Sequence, residues 1–327
     1  MSAPHRILIT GAGGFVGRWL VRELKSRPQS NRELPDLELY GLERSAAIVT
    51  ETDHAYCADL LDQAAIEAVV EQVKPDVVIH LAAQAHVQHS HKAPNLTWEV
   101  NVTGTRILAQ AVKHTAPNCL FVFISSSEIY GGTFKTNPNP LDESALLDPR
   151  SPYALSKAAA DLLIGQMAYD GLRAVRVRPF NHTGPGQDPA FVIPSFARQI
   201  ALIEAGLQSP VVEVGNLDAS RDFLDVRDVV RAYADIALCQ TGLQPGEIIN
   251  LASGTARRIG DNLNALIALS RVPISIKQDA QRMRPNDLPI TCGSYDKAKR
   301  LLDWRPRIEW AQTLSDILED QRQALRR

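Results

Sequence analysis

Short apolar runs and segments of helical periodicity alternate along the first part of the chain. The apolar runs have the length of buried strands and lie at residues 7–9, 37–42, 76–83, 120–124, 175–178 and 248–251. Apolar residues at helical spacing follow several of them, as at 15–24 and 97–113. A buried strand followed repeatedly by a helix predicts a parallel sheet with helices on both faces. We therefore expect an α/β fold with a doubly wound parallel sheet.

The composition shifts after residue 180, where the predicted elements become shorter. Helices are predicted at 191–205, 229–238 and 259–270, short strands at 211–214 and 272–276, and a loop at 282–287. A chain of 327 residues exceeds a typical single core. We predict one large domain from 1–180 with 222–252, and a smaller C-terminal α/β substrate domain from 181–221 with 253–327.

The charge balance argues against several classes of partner. The 35 basic and 37 acidic residues nearly cancel and form no basic block, which disfavours nucleic acid and anionic membranes as partners. The four cysteines stand far apart without a CxxC pair, so we expect no metal site and no disulfide framework. No apolar stretch approaches the roughly 20 residues that span a bilayer. We expect a cytoplasmic protein.

Three glycines follow the first predicted strand. Gly11 allows a sharp turn, Gly14 has no side chain to keep a diphosphate away from the main chain, and Gly17 lets the helix approach the strand. Phe15 and Val16 open that helix, whose N-terminus presents unpaired N–H groups. Strand, glycine turn and helix together predict a Rossmann-type site for NAD or NADP.

The next two strands end in polar residues where an adenosine would lie. Glu43 would accept hydrogen bonds from the ribose hydroxyls of NAD, whereas Arg44 would pair with the 2′-phosphate of NADP, so the cofactor preference stays open. Asp59 and Leu60 are placed to touch the adenine. An alternative role for Asp59 is an ordinary helix N-cap.

Small residues follow the strand at 76–83. Leu81, Ala82 and Ala83 are expected where a cofactor crosses the carboxyl edge of the sheet. Gln84 and His86 then fall on a loop that faces the ligand, although a histidine on a loop is often only a solvated side chain.

Hydroxyl and carboxylate groups follow the buried run at 120–124. Ser126 and Glu128 lie at this carboxyl end, which is the edge of a doubly wound sheet where ligands bind and react. Tyr153 and Lys157 share one face of a helix that runs to about residue 169. A nearby ammonium should stabilise the phenolate and lower the pKa of Tyr153, which predicts an acid/base pair.

These motifs together resemble the extended short-chain dehydrogenase/reductase family over almost the whole chain. GxxGxxG at 11–17, SSSEIYG at 125–131, YxxxK at 153–157 and RPFN at 178–181 occur in the family's order and spacing. The segments FNHTGPGQ, FVIPSFARQI, GNLDASRDFLDVRDVV and RMRPNDLP are similar to the branch that acts on GDP-hexoses.

The resemblance implies roles for individual residues. Tyr153 would protonate a ketone oxygen at carbon 4 of the sugar, Ser126 would hydrogen-bond the same oxygen, and Lys157 would hold the nicotinamide ribose. Pro179 would line the cofactor site. Together with Gln84 and His86 from the loop after 76–83, the predicted substrate residues are Ser126, Asn181, Val192, Arg198, Arg221 and Arg284. Each arginine could instead form an ordinary surface salt bridge.

The implied reaction is reduction by NAD(P)H of the 4-keto group of GDP-4-keto-6-deoxy-D-mannose to GDP-D-rhamnose. GDP-mannose 4,6-dehydratase chemistry is the alternative, because Glu128 stands at that enzyme's position for the base that removes the carbon 5 proton. GPGQ and the absence of a tryptophan in SRDFLDV favour the reductase. A second alternative is a non-catalytic nucleotide-binding protein of the same fold.

The resemblance also implies a homodimer. In the extended family the helices corresponding to 97–113 and 153–169 form an intermolecular four-helix bundle. Here they carry the apolar residues Leu108, Ala111, Ala158, Leu162 and Leu163. The same residues could instead serve the core of a single chain.

Overall fold

The computed structural model describes residues 4–27, 36–48, 50–238, 242–282 and 288–326. The strands of these ranges are β1 (His5–Thr10), β2 (Leu37–Glu43), β3 (His54–Cys57), β4 (Val77–His80), β5 (Leu120–Ile124), β6 (Ala174–Pro179), β7 (Asn181–Thr183), β8 (Val211–Val214), β9 (Ser220–Asp225), β10 (Glu247–Leu251), β11 (Ala256–Arg258), β12 (Ser275–Gln278) and β13 (Ile290–Thr291).

The α-helices are α1 (Phe15–Ser26), α2 (Gln63–Val73), α3 (Val87–Lys92), α4 (Pro94–Trp98), α5 (Thr105–Thr115), α6 (Thr133–Thr136), α7 (Pro152–Tyr169), α8 (Val192–Glu204), α9 (Val226–Leu238), α10 (Ile259–Ala268), α11 (Asp296–Leu302) and α12 (Trp310–Ala324). A π-helical segment covers Glu99–Gly104, and 3₁₀ turns cover Ser127–Tyr130 and Ala280–Arg282.

Seven parallel strands form the large sheet in the order β10-β6-β5-β4-β1-β2-β3. The chain starts at the centre, winds outward through β2 and β3, and then crosses β1 to continue through β4, β5 and β6. Such a reversal of direction brings the carboxyl ends of β1 and β4 together as a crevice for ligands. The predicted Rossmann-type, doubly wound α/β fold is confirmed.

Helices cover both faces of this sheet, each over its own apolar layer. On one face α1, α9 and α11 bury residues such as Leu20, Val230 and Ala298. On the other face α2, α5 and α7 bury Val70 and Leu108 among others. Because both faces are covered, the strands are apolar on both sides, which explains their continuous apolar runs.

A smaller C-terminal α/β unit carries its own core. Helices α8, α10 and α12 pack against β8 and β9 around Phe196, Leu263 and Leu318. β9 lies between β11 and β13 and also pairs with β7, while β12 pairs with β8. β7 directly follows β6 of the large sheet, so the crossing between the two sheets lies beside the carboxyl edge.

The helix predicted at 97–113 is interrupted. It forms α4, the π-helical segment and then α5. Asn101 in that segment exchanges hydrogen bonds of 2.8 and 3.1 Å with the main chain of Gln84, and a Cβ on Gly104 would lie 2.9 Å from the Cβ of Leu60. Gln84 and Leu60, which approach this segment, belong to other parts of the chain. Helical periodicity along 97–113 therefore could not predict the interruption.

The strand predicted at 272–276 begins later, at Ser275. Pro273 has no N–H to give to a ladder. Pairing with β8 starts where the N–H of Ser275 donates to the carbonyl of Pro210 at 3.0 Å.

The residues chosen for the helix bundle divide between core and surface. Leu108, Ala111 and Ala158 are buried within the chain itself, and Leu163 packs against the cluster that contains Leu108 and Ala111. Leu162 is 59% exposed. Most of the predicted contact residues therefore serve the core of a single chain. Within the described ranges, no helix combines the length and apolar character needed to cross a membrane.

Candidate active site

The glycine turn joins β1 to α1 at the centre of the sheet edge. Gly11 has a φ of +73°, and a Cβ there would lie 3.1 Å from the main-chain nitrogen of Ala82. A Cβ on Gly17 would lie 2.2 Å from the carbonyl oxygen of Gly11, so the helix can approach only with glycine at this position. Gly14 caps α1 without a side chain. Such a turn leaves first-turn N–H groups for a diphosphate, and the residues present fit a dinucleotide.

Of the two polar residues at the end of β2, Glu43 contacts the glycine turn and Arg44 does not. Glu43 Oε1 accepts the N–H of Gly13 at 2.6 Å, and burial raises the pKa of the carboxyl although this bond opposes the shift. Arg44 is exposed. Phe15 and Val16 pack against the sheet's apolar layer. The carboxylate therefore belongs to the glycine turn, whereas the guanidinium stays at the surface.

After β3, Asp59 is exposed and caps its own turn through the N–H of Leu61 at 3.0 Å. The N-cap of α2 is Asp62, which accepts the N–H of Ala65 at 3.1 Å. The alternative role of Asp59 as the helix N-cap is therefore wrong, because the helix begins one turn later. Leu60 is buried beneath the π-helical segment.

The segment after β4 lies beside the glycine turn. Leu81, Ala82 and Ala83 are half-buried. Gln84 is held through its main chain, and its Oε1 is buried without a hydrogen-bond partner among the described residues. His86 is exposed, and its ring centroid lies 4.9 Å from that of Phe191, which immediately precedes α8.

Ser126, Glu128, Tyr153 and Lys157 come together at the carboxyl end of β5. Ser126 caps the 3₁₀ turn and accepts the N–H of Glu128 at 3.2 Å. Glu128 is half-buried, whereas the other residues of that turn are buried. Ser151 caps α7, which orients Tyr153 and Lys157 on the first turns of that helix.

The electrostatics of the pair differ from the sequence-based expectation. Burial raises the pKa of Tyr153 to about 12; the Ser126 hydroxyl lowers that pKa, while the charge of Glu128 raises it. The expected lowering by Lys157 is not found. The Lys157 ammonium donates to the carbonyl of Ile124 at 2.5 Å and lies 4.8 Å from the ring centroid of Phe123. Burial lowers the pKa of Lys157 to about 8, against the opposing charge of Asp161.

The predicted substrate residues surround the crossing to the smaller unit. Pro179 ends β6, Asn181 begins β7 and Val192 begins α8, the last two being half-buried. Arg198 lines a polar cavity of about 270 Å³ together with Glu213 and other residues of α8 and β8.

Of the other two arginines predicted to bind substrate, only Arg221 lies within the described residues. The guanidinium of Arg221 donates to the carbonyls of Ser220 and Leu288 at 2.8 and 2.7 Å, so it ties β9 to the segment before β13. Arg284 lies outside the described residues. Among the residues that are described, no three His, Cys, Asp or Glu side chains are grouped to hold a metal ion.

Two buried polar residues near this site were not singled out from the sequence. His80 ends β4, and Asn101 lies in the π-helical segment; both are 2% exposed. The available signals were a histidine in an otherwise apolar strand and an asparagine shortly before a glycine inside a helical pattern.

A Rossmann sheet with a glycine turn, and with Ser, Tyr and Lys gathered at its carboxyl edge, defines an extended short-chain dehydrogenase/reductase. The chain belongs to the GDP-mannose 4,6 dehydratase family, whose model matches residues 8–317. The family prediction is thereby confirmed.

The chain is similar to relatives of both kinds, a reductase and dehydratases. The chain is 37% identical to GDP-6-deoxy-D-mannose reductase of Pseudomonas aeruginosa, with 97% of each chain covered. It is 29% identical to GDP-mannose 4,6 dehydratase 1 of Arabidopsis thaliana, covering 97% of this chain and 90% of that protein. The solved structure of RMD from Pseudomonas aeruginosa complexed with NADPH matches with a TM-score of 0.85 at 35% identity, over 98% of this chain and 100% of that one.

Proposed function

We propose that this chain reduces the 4-keto group of GDP-4-keto-6-deoxy-D-mannose with NAD(P)H and so forms GDP-D-rhamnose. The observation that carries this proposal is the 37% identity to a GDP-6-deoxy-D-mannose reductase over nearly the whole of both chains. The dehydratase of the same family is more distant, at 29% identity. The gathering of Ser126, Tyr153 and Lys157 supports catalysis rather than binding alone.

Each of these three groups has a part in the proposed reduction. When bound, the reduced nicotinamide supplies the hydride that is added to carbon 4. Tyr153 donates the proton to the ketone oxygen, and its phenol carries that proton at neutral pH, well below its pKa of about 12. Ser126 donates a hydrogen bond to the same oxygen, where negative charge develops. Lys157 binds the nicotinamide ribose through its ammonium, and the Ser126 hydroxyl, which lowers the pKa of Tyr153, stabilises the phenolate that Tyr153 becomes.

The cofactor and substrate residues extend outward from this centre. We assign the dinucleotide to the glycine turn, to Glu43 or Arg44 at the adenosine, and to residues 59–60, 81–83 and 179. We assign the GDP-sugar to Gln84, His86, Asn181, Val192, Arg198, Arg221 and Arg284. Arginines pair with a diphosphate through bidentate, charge-assisted hydrogen bonds.

Glu128 keeps dehydratase chemistry as the second candidate. Its charge acts on Tyr153, so the carboxylate lies within electrostatic reach of the reacting centre. In the proposed reductase Glu128 has no proton to remove, because the substrate already carries the 4-keto and 6-deoxy groups.

We further propose a homodimer in the cytoplasm, and the two-domain division 1–180 with 222–252 and 181–221 with 253–327. The dimer is supported by an exposed apolar stripe along α7, where Leu155, Leu162 and Tyr169 are 51%, 59% and 94% exposed and recur every seven residues. The separate core of α8, α10 and α12 supports the division, whereas α11, which lies within 253–327, packs against the large sheet.

The test supplies the purified chain with GDP-mannose alone, and separately with GDP-4-keto-6-deoxy-D-mannose plus NADH or NADPH. We expect oxidation of one reduced nicotinamide for each ketone, and no reaction with GDP-mannose. Conversion of GDP-mannose without added reductant would instead assign the dehydratase. Cofactor binding without turnover of either sugar would assign a non-catalytic protein.

A further inference from the structure

A line of hydrogen bonds runs beneath the site, starting at the cofactor-facing segment after β4. The N–H of Ala82 donates to Thr10 Oγ1 at 3.1 Å, and Thr10 Oγ1 lies 2.7 Å from Nδ1 of His80. Nε2 of the same imidazole lies 3.0 Å from Thr105 Oγ1. Thr10 and Thr105 are 0% and 1% exposed, so water cannot replace these partners.

The line continues to the first turn of α7. Thr105 Oγ1 donates to the carbonyl of Asn101 at 2.7 Å. The Asn101 amide nitrogen donates to Ser156 Oγ at 2.9 Å, and Ser156 Oγ donates to the carbonyl of Tyr153 at 2.8 Å. The segment that faces the cofactor is thus joined, bond by bond, to the backbone of the proposed general acid.

Counting protons assigns a direction to every bond. Thr105 has one hydroxyl proton, and it is used by the carbonyl of Asn101, so Thr105 Oγ1 must accept the proton of His80 Nε2. Nδ1 of His80 is then the acceptor for the Thr10 hydroxyl. The carboxamide oxygen of Asn101 accepts the N–H of Gln84, which fixes the orientation of that amide as well. In every hydrogen bond of the line, the donor is therefore the group nearer to Ala82 and the acceptor is the group nearer to Tyr153.

A second proton on His80 would break this order. Nδ1–H would face the Thr10 hydroxyl, whose own proton would then have no acceptor within the described part of the chain. Full burial, together with the nearby Lys157 charge, lowers the pKa of His80 to about 3, in agreement with this hydrogen-bond count. The imidazole is therefore a neutral link of fixed tautomer at neutral pH.

We propose that His80, as its Nε2–H tautomer, is a positioning residue that holds the Tyr153 end of α7 in register with the cofactor-facing segment at residues 81–83. This inference rests on the proposed role of Tyr153 as the proton donor. Hydride and proton must reach the two ends of one carbonyl group, and a displacement of about 1 Å can lower a rate by ~10²-fold.

The first test removes the hydrogen bond between Nε2 of His80 and the hydroxyl of Thr105. Thr105→Val removes the hydroxyl without changing the side-chain shape. We expect kcat for reduction of the 4-keto sugar to fall at least about tenfold, while KM for the reduced cofactor changes by less than about twofold. Thr105→Ser restores the hydroxyl and should restore kcat.

A matched control is available on the same helix. Thr115 also donates to the carbonyl four residues earlier, at 2.7 Å, but among the described residues no histidine shares its hydroxyl. Thr115→Val should leave kcat unchanged. The proposal is overturned if Thr105→Val keeps the wild-type kcat, if Thr105→Ser fails to restore it, or if Thr115→Val loses as much.

The second test needs no turnover, so it separates this proposal from the proposed function. Histidine labelled with ¹⁵N reports the tautomer by NMR, and the His80 signal is assigned by its absence in His80→Gln. We expect the Nε2–H form throughout about pH 5 to 8. An Nδ1–H form or a charged ring in this range refutes the inference even if the reductase activity is found. The expected tautomer with an enzyme that reduces no 4-keto sugar would instead remove the proposed function.

Discussion

Raising the pH through about 8 should remove the Lys157 ammonium and most of the reductase activity with it. Burial lowers the pKa of Lys157 to about 8, with the charge of Asp161 opposing the shift. A group with this pKa is about nine-tenths charged at pH 7 and about one-tenth charged at pH 9. If only the charged form binds the ribose, activity should fall roughly tenfold over this range. Tyr153 does not titrate there, since its pKa is about 12.

The assay is kcat/KM for the reduced cofactor, because that parameter reports the ionisations of the free enzyme. Cofactor affinity, measured by fluorescence titration over the same pH series, should weaken in parallel. Lys157→Arg provides the control, since a guanidinium keeps its charge at every pH in the series. This variant should be slower at pH 7 but should lack the alkaline decline. A flat wild-type profile from pH 7 to 9, or the same decline in Lys157→Arg, would refute the assignment of the titrating group.

Further expected outcomes test the remaining assignments. Tyr153→Phe should keep cofactor affinity but lose ~10²–10⁴-fold in turnover, as checked by steady-state kinetics; near-normal rates would remove Tyr153 from the mechanism. Glu43→Ala should weaken binding of NADH while sparing or improving that of NADPH, because the carboxylate at the glycine turn repels a 2′-phosphate; equal losses in a binding titration would contradict this. Glu128→Gln should slow reduction of the 4-keto sugar by at most about tenfold, or ~1.4 kcal/mol, whereas loss of a GDP-mannose elimination activity in this variant would reveal a dehydratase. Light scattering at micromolar concentration should give the mass of a dimer, and a monomer mass would exclude it.

Local features could be predicted from the sequence because they depend on neighbours along the chain. The turn at Gly11, Gly14 and Gly17 follows from steric freedom and from the change of period from strand to helix. Tyr153 and Lys157 face the same way because they lie one helical turn apart. The parallel sheet follows from repeated buried strands and helices.

The tertiary structure decided the properties that depend on residues far apart in sequence. Glu43 lies at the glycine turn because β1 and β2 are neighbouring strands, and there its carboxylate accepts the N–H of Gly13 at 2.6 Å. The π-helical segment exists where Asn101 meets the main chain of Gln84. Spacing on a helix predicted that Lys157 would lower the pKa of Tyr153, but burial of both groups dominates instead. Burial and long-range hydrogen bonds are set by the packing of distant segments, and no local pattern of residues records them.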